Sequence, residues 1–74
     1  MDETFLRTKL GASIRERRLV LKLSQDAMAD VVQMHRSYYS SIERGERNIT
    51  VLTLCRVAQG LKDKAAELMR IAGL

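Results

Sequence analysis

Apolar residues recur at three- and four-residue intervals along nearly the whole chain, and nowhere do β-branched residues alternate over a useful strand length. This pattern predicts helices and no sheet. Phe5, Leu6, Leu10, Ile14, Arg18 and Leu21 form one stripe on a first helix from about Thr4 to Leu21, with Lys9, Arg15 and Arg17 off it. Gly11 lies inside that helix but costs only about 1 kcal/mol relative to Ala. Ser24 is placed to cap a second helix, with Ala27, Met28, Val31 and Val32 inward and Ala29 small enough for a close neighbour. A turn falls near Gln33-Met34. A third helix runs from about His35 to Arg44, with Tyr39 and Ile42 inward and Gly45 as its left-handed terminator. After a loop over 46–49, Thr50 caps a fourth helix to about Leu61. Its buried face is Val51, Leu54, Val57, Ala58 and Leu61, and Gly60 loosens its end. Asp63 is the cap expected for a fifth helix, Lys64 to Ala72, carrying Ala65, Leu68, Met69 and Ile71.

Composition narrows what such a bundle does. Seventy-four residues make one domain. A domain of this size buries only about 60% of its unfolded surface, so dimerisation is a natural expectation. A hydrophobic content of 46% argues against disorder. No apolar run approaches the roughly 18–20 residues of a membrane span, and the start of the chain lacks the apolar core of a signal peptide. The expectation is a cytoplasmic protein with no membrane partner. One cysteine, Cys55, and one histidine, His35, supply neither an internal disulfide nor a zinc cage. Thirteen Lys and Arg against nine Asp and Glu give a formal charge of +4, which suits a polyanionic partner without demanding one. No nucleophile–base pair or phosphate-cradling glycine loop is visible, and no cofactor is implied, so an enzyme is not expected. Cys55 falls inside a helix without an activating partner, which favours packing over reactivity.

The segment Ser24–Arg44, SQDAMADVVQMHRSYYSSIER, is a short helix, a tight turn and a second short helix. In such a unit the second helix enters the major groove of DNA. Arg36, Ser37, Ser40 and Ser41 lie on its expected outward side. A guanidinium such as that of Arg36 can span guanine O6 and N7 bidentately, although an isolated arginine is equally a solvated charge. Tyr38 and Tyr39 are adjacent and point to different sides. Tyr39 reads as core and Tyr38 as surface, either near DNA or covering apolar residues. His35 is either a spacer or a phosphate contact, and the serines are either DNA contacts or simply small.

The pattern LSQDAMAD followed by HRSYYSSIERGERNIT resembles the Cro/repressor-type helix-turn-helix. More narrowly, it resembles the controller proteins of type II restriction–modification systems. The resemblance implies an all-α, lambda-repressor-like DNA-binding domain of five helices over residues 1–74. It further implies that Gln25 braces the recognition helix and meets a phosphate, that Arg36 reads a base, and that Ser37 touches a base or phosphate. Tyr38 is implied at the DNA surface, and Arg47 and Asn48 at the backbone or an adjacent base. Arg18 and Glu43 match a buried ion pair joining the first helix to the recognition helix. The family often has glycine in the motif turn and after the first helix. Gln33 and Lys22 stand there instead, so either left-handed strain of roughly 1–2 kcal/mol is tolerated or the turns differ in shape.

A single motif makes few base contacts, and two-fold dimers on paired half-sites are the usual remedy. Leu68, Met69, Ile71 and Leu74 on the fifth helix, with Leu52 or Cys55 from the fourth, form the expected homodimer face. The alternative is that they only close the monomer core. By resemblance, one dimer on a pseudo-palindromic operator activates transcription, with RNA polymerase a candidate partner. A second dimer, added cooperatively, represses, which delays the endonuclease behind the methyltransferase. Other readings are a small phage-type repressor, an antitoxin-like autoregulator, or an interaction module that does not bind DNA.

Overall fold

The computed structural model describes residues 2–74 and contains five helices: α1 (Glu3–Val20), α2 (Gln25–Val31), α3 (Arg36–Glu43), α4 (Val51–Gly60) and α5 (Ala65–Ile71). Three of these have only seven or eight residues. Helices so short do not persist alone in water, so caps and packing hold them. Asp2 Oδ1 accepts the Phe5 N–H at 2.7 Å, Ser24 Oγ the Ala27 N–H at 3.0 Å, and Thr50 Oγ1 the Thr53 N–H at 3.1 Å. His35 caps α3 through its ring, Nδ1 accepting the Ser37 N–H at 3.1 Å. Asp63 does not cap α5 as expected. Lys64 is the cap residue; Asp63 accepts the Lys64 N–H, outside the helix, and pairs with Arg17 Nε at 3.4 Å.

All five helices end alike. In each, the residue after the C-cap has positive φ: Lys22 (59°), Gln33 (57°), Gly45 (76°), Lys62 (58°) and Gly73 (81°). The next N–H then reaches back to the helix, as in Leu23 to Arg18 O, Met34 to Ala29 O and Glu46 to Ser41 O. This is the paired termination that glycine usually serves. The turns after α1 and α2 therefore keep the glycine shape, and Lys22 and Gln33 adopt the left-handed conformation.

The core is Ile14, Met28, Ala29, Val32, Tyr39, Ile42, Leu54, Val57, Ala58, Leu61 and Leu68. Helices α1 and α2 pack on α3, and α5 packs on α1 and α4. Gly11 sits where α1 crosses the end of α3. A Cβ there would meet the Glu43 and Ile42 carbonyl oxygens at 2.5 and 2.6 Å. Gly60 does not loosen α4 but packs against α2, where a Cβ would lie 2.6 Å from Val32 Cγ1.

Three residues expected inside are exposed: Phe5, Val31 and Val51. Phe5 lies in the first turn of α1, and its ring lies under Lys9. At about 100° per residue, Val31 falls well away from the inward direction of Met28, Ala29 and Val32. Val51 occupies the first position of α4, at the edge of its buried arc.

Candidate nucleic-acid interface

Helix α3 is held by a buried polar network centred on Glu43. The Arg18 guanidinium grips the Glu43 carboxylate with two bonds, Nε to Oε2 at 2.7 Å and Nη2 to Oε1 at 3.0 Å. Both side chains are nearly dry, at 8% and 2% exposure. Arg18 Nη1 also donates to the Leu23 carbonyl at 2.8 Å, tying the same group to the turn after α1. The Tyr39 hydroxyl donates to Glu43 Oε2, and Gln25 Nε2 donates to Oε1 at 3.0 Å. Gln25 Oε1 in turn accepts from Ser40 Oγ at 2.9 Å. Among the described residues, no buried side-chain polar atom is left without a partner.

The electrostatics follow from this geometry. Burial pushes the Glu43 carboxyl up, but the bonds from Arg18, Tyr39 and Gln25 outweigh it and hold the group below its ordinary value of 4.5. Burial, reinforced by the bond to Glu43, raises the Tyr39 phenol above its ordinary 10.0. The bond to Glu43 raises Arg18 against a smaller opposing effect of burial. Glu43 is thus a carboxylate and Tyr39 a phenol at neutral pH, and the network is charged, satisfied and rigid.

On its solvent side, α3 presents Arg36 and Ser37 in its first turn and is followed directly by the exposed Arg44. These three, with Gln25 and Ser40, line one shallow depression across the ends of α2 and α3. Arg36 Nε pairs with Asp26 Oδ1 at 2.6 Å, and Arg44 Nε pairs with Glu46 Oε2 at 3.0 Å.

The other candidate positions sort as follows. Gln25 is half-buried, with its amide committed on both sides to bracing α3. His35 is exposed, and its Nδ1 serves the helix cap. Tyr38 is half-buried against the core, with the Arg47 guanidinium 5.3 Å from its ring centre. Arg47 Nε donates to Ser41 Oγ at 3.0 Å, so this loop residue is pinned to α3. Asn48 is exposed but lines a different, apolar cavity between α1 and α5.

Ser40 and Ser41 correct the sequence reading. They are 8% and 3% exposed, respectively, and both bond inward, Ser41 to the Tyr38 carbonyl at 2.6 Å. Ser40 bonds Gln25 of α2 at the floor of the depression it shares with Arg36, and Ser41 is covered by Arg47. Arg44 is the residue that sequence reasoning missed. It lies seven positions after Ser37, two helical turns on and therefore on the same face, and that spacing was available as a signal.

Leu68 is a second correction: it is fully buried in the core and offers nothing to a partner. Leu52, at 82% exposure, projects from the opposite side of α4 to Leu54 and Val57, with Val51 and Cys55 exposed beside it. Met69, Ile71 and Leu74 are partly exposed. Ile49, just before α4, lines the same cavity as Met69 and Leu74. No helix is long and apolar enough to cross a membrane, and no three metal-ligating side chains converge among the described residues.

Comparison with known proteins places this arrangement. A family model described as helix-turn-helix matches residues 14–68. The control protein C.SmaI of Serratia marcescens is 37% identical over 65 residues, which are 88% of this chain and 77% of that protein. The clp gene regulator ClgR of Corynebacterium glutamicum superposes with a TM-score of 0.90 at 26% identity, covering 92% of this chain and 87% of that one. The restriction–modification controller protein C.Esp1396I, solved as a tetramer with its natural 35-base-pair operator, superposes at 0.83 with 29% identity, covering 92% and 90%. Matched over most of its length at the level of family, sequence and fold, the chain belongs to the helix-turn-helix family, among the controller proteins of restriction–modification systems.

Proposed function

We propose that the protein is a sequence-specific transcriptional regulator that binds a pseudo-palindromic operator as a homodimer and thereby times restriction–modification gene expression. One observation carries this reading. The first turn of α3 presents Arg36 and Ser37 outward, on a helix locked from behind by Glu43, in a chain similar to a controller protein solved on its operator. A locked helix matters because base-edge hydrogen bonds tolerate little misplacement. Arg36 takes guanine O6 and N7, which is the commonest specific contact in the major groove. Ser37, Tyr38, Arg44, Arg47 and the exposed His35 position the helix on phosphates.

The dimer forms through Val51, Leu52 and Cys55 of α4 with Met69, Ile71 and Leu74 at the end of the chain. These side chains are exposed apolar groups on α4 and at the end of α5 that a partner subunit would cover. Two dimers on one operator then supply activation followed by repression, with RNA polymerase as the partner for activation. The test is a gel shift on the DNA upstream of the protein's own gene, repeated across a salt series. Affinity that falls steeply with salt and is lost on a scrambled duplex is expected. Equal affinity for both duplexes would contradict sequence-specific regulation. The likeness to ClgR favours one second reading within the same class, an autonomous regulator of other genes. The identity of the genes beside the binding site separates the two.

A further inference from the structure

Asp26 is the second residue of α2 and Arg36 the first of α3, and their pairing puts a carboxylate on the surface assigned to DNA. Both side chains remain about two-thirds exposed, at 65% and 69%. So exposed a pair contributes little to folding. Near phosphates a free carboxylate weakens binding, so its presence calls for a reason. The contact is to Nε of the guanidinium. The two terminal nitrogens, the fork by which a guanidinium can span guanine O6 and N7, have no hydrogen-bond partner among the described residues. No other first-turn side chain of α2 competes for Arg36, because the Gln25 amide is committed to Glu43 and Ser40.

We propose that Asp26 is a specificity-determining positioning residue: it holds the Arg36 guanidinium in its base-reading direction and opposes its transfer to phosphate. The inference rests on the reading of Arg36 as a base contact. On a matching site the terminal nitrogens take guanine while Nε keeps Asp26, so the pair survives and the carboxylate stays neutralised. On other DNA the best alternative for Arg36 is a phosphate. Reaching it breaks the pair and leaves the Asp26 carboxylate unpaired against the polyanion. The acid therefore penalises wrong sites more than right ones, which is discrimination by an added repulsion. Arg44, at the other end of α3, differs: Glu46 takes both its Nε and its Nη2, at 3.0 and 3.1 Å.

The experiment uses the full chain and two probes: a duplex selected by the wild type from a random pool, and a scrambled duplex of the same composition. Affinities of the wild type, Asp26→Asn, Asp26→Glu and Arg36→Ala are measured across a salt series, with circular dichroism confirming the fold of each. Asp26→Asn should bind the scrambled duplex about eight-fold tighter at 0.1 M salt, with a salt slope steeper by about 0.9, the value of one more phosphate contact. Its affinity for the selected duplex should stay within about two-fold of wild type, and Asp26→Glu should restore wild-type behaviour on both probes. An unchanged salt slope on scrambled DNA, or equal changes on both duplexes, would overturn the role of Asp26. Arg36→Ala separates the two levels. If it weakens the selected duplex while Asp26→Asn behaves as wild type, only the role of Asp26 fails. If it leaves the selected duplex unaffected, the base-reading role fails and takes this inference with it.

Discussion

Glu43 shows how one side chain serves both fold and recognition. Its carboxylate accepts from Arg18 on α1, Gln25 on α2 and Tyr39 on α3, so three helices are fixed to one point. Glu43→Ala should lower stability by about 3–5 kcal/mol, because Arg18 is left charged, buried and unpaired. Urea unfolding followed by circular dichroism measures the loss, and a wild-type midpoint would refute the pair. The pH dependence follows from the lowered pKa. A carboxylate held below its ordinary 4.5 contributes stability that is present above that pH and drains away as pH falls from 4.5 through the folded value. Wild-type melting temperature should therefore drop on acidification below about pH 4.5, and Glu43→Gln should show a flatter acid limb. Tyr39 acts oppositely, since its raised pKa gives stability present below pH 10.0 and lost as pH climbs beyond it. Arg18 stood out in the sequence as a charge on an apolar stripe, and its pairing with Glu43 was implied by the family resemblance. The bracing by Gln25 was implied by the family resemblance, but Ser40 as its partner was not, since a helix serine looks the same whether it faces protein or DNA.

At the scale of elements, helix number, order and approximate bounds were legible from apolar spacing and from Ser24, Thr50 and Gly45 at the boundaries. The uniform helix ending was not, because only Gly45 and Gly73 announce it, while Lys22, Gln33 and Lys62 adopt the same conformation without a sequence sign. A left-handed non-glycine residue costs roughly 1–2 kcal/mol, partly offset by the greater unfolded-state freedom of glycine. Gln33→Gly should accordingly stabilise the protein by about 0.5–1 kcal/mol in urea unfolding. Destabilisation would show that the Gln33 side chain has a role beyond the turn. Gly45→Ala should do the reverse. It combines a φ of 76° with a Cβ only 2.8 Å from Thr8 Cα, so a loss of at least about 2 kcal/mol is expected. Where the apolar pattern misled, at Phe5, Val31 and Val51, the residues lie at helix ends. Phe5 and Val51 sit in first turns, and Val31 ends α2 turned away from the direction of Met28, Ala29 and Val32.

Across the whole molecule, one face is organised for DNA and another is apolar. The sequence reading placed Arg36, Ser37 and Tyr38 at the surface and assigned the dimer to α5. The structure moves the weight of that apolar surface to Val51 and Leu52 and withdraws Leu68 into the core. Apolar character cannot distinguish a core residue from an interface residue on one short helix, and only the packed neighbours decide it. Leu52→Glu should leave the thermal stability of the monomer nearly unchanged, since the side chain is 82% exposed. It should shift sedimentation from dimer to monomer at micromolar concentration and weaken operator binding with it. A dimer that persists would move the interface elsewhere. The central claim is that α3 reads DNA through Arg36 in a two-fold arrangement, and selection from random duplexes tests it most directly. The wild type should enrich two inverted half-sites about one helical turn apart, with a G·C pair at equivalent positions. Arg36→Ala should lose about 1–3 kcal/mol on that site and cease to discriminate at that pair. No enriched site, an asymmetric single half-site, or unchanged discrimination by Arg36→Ala would contradict it.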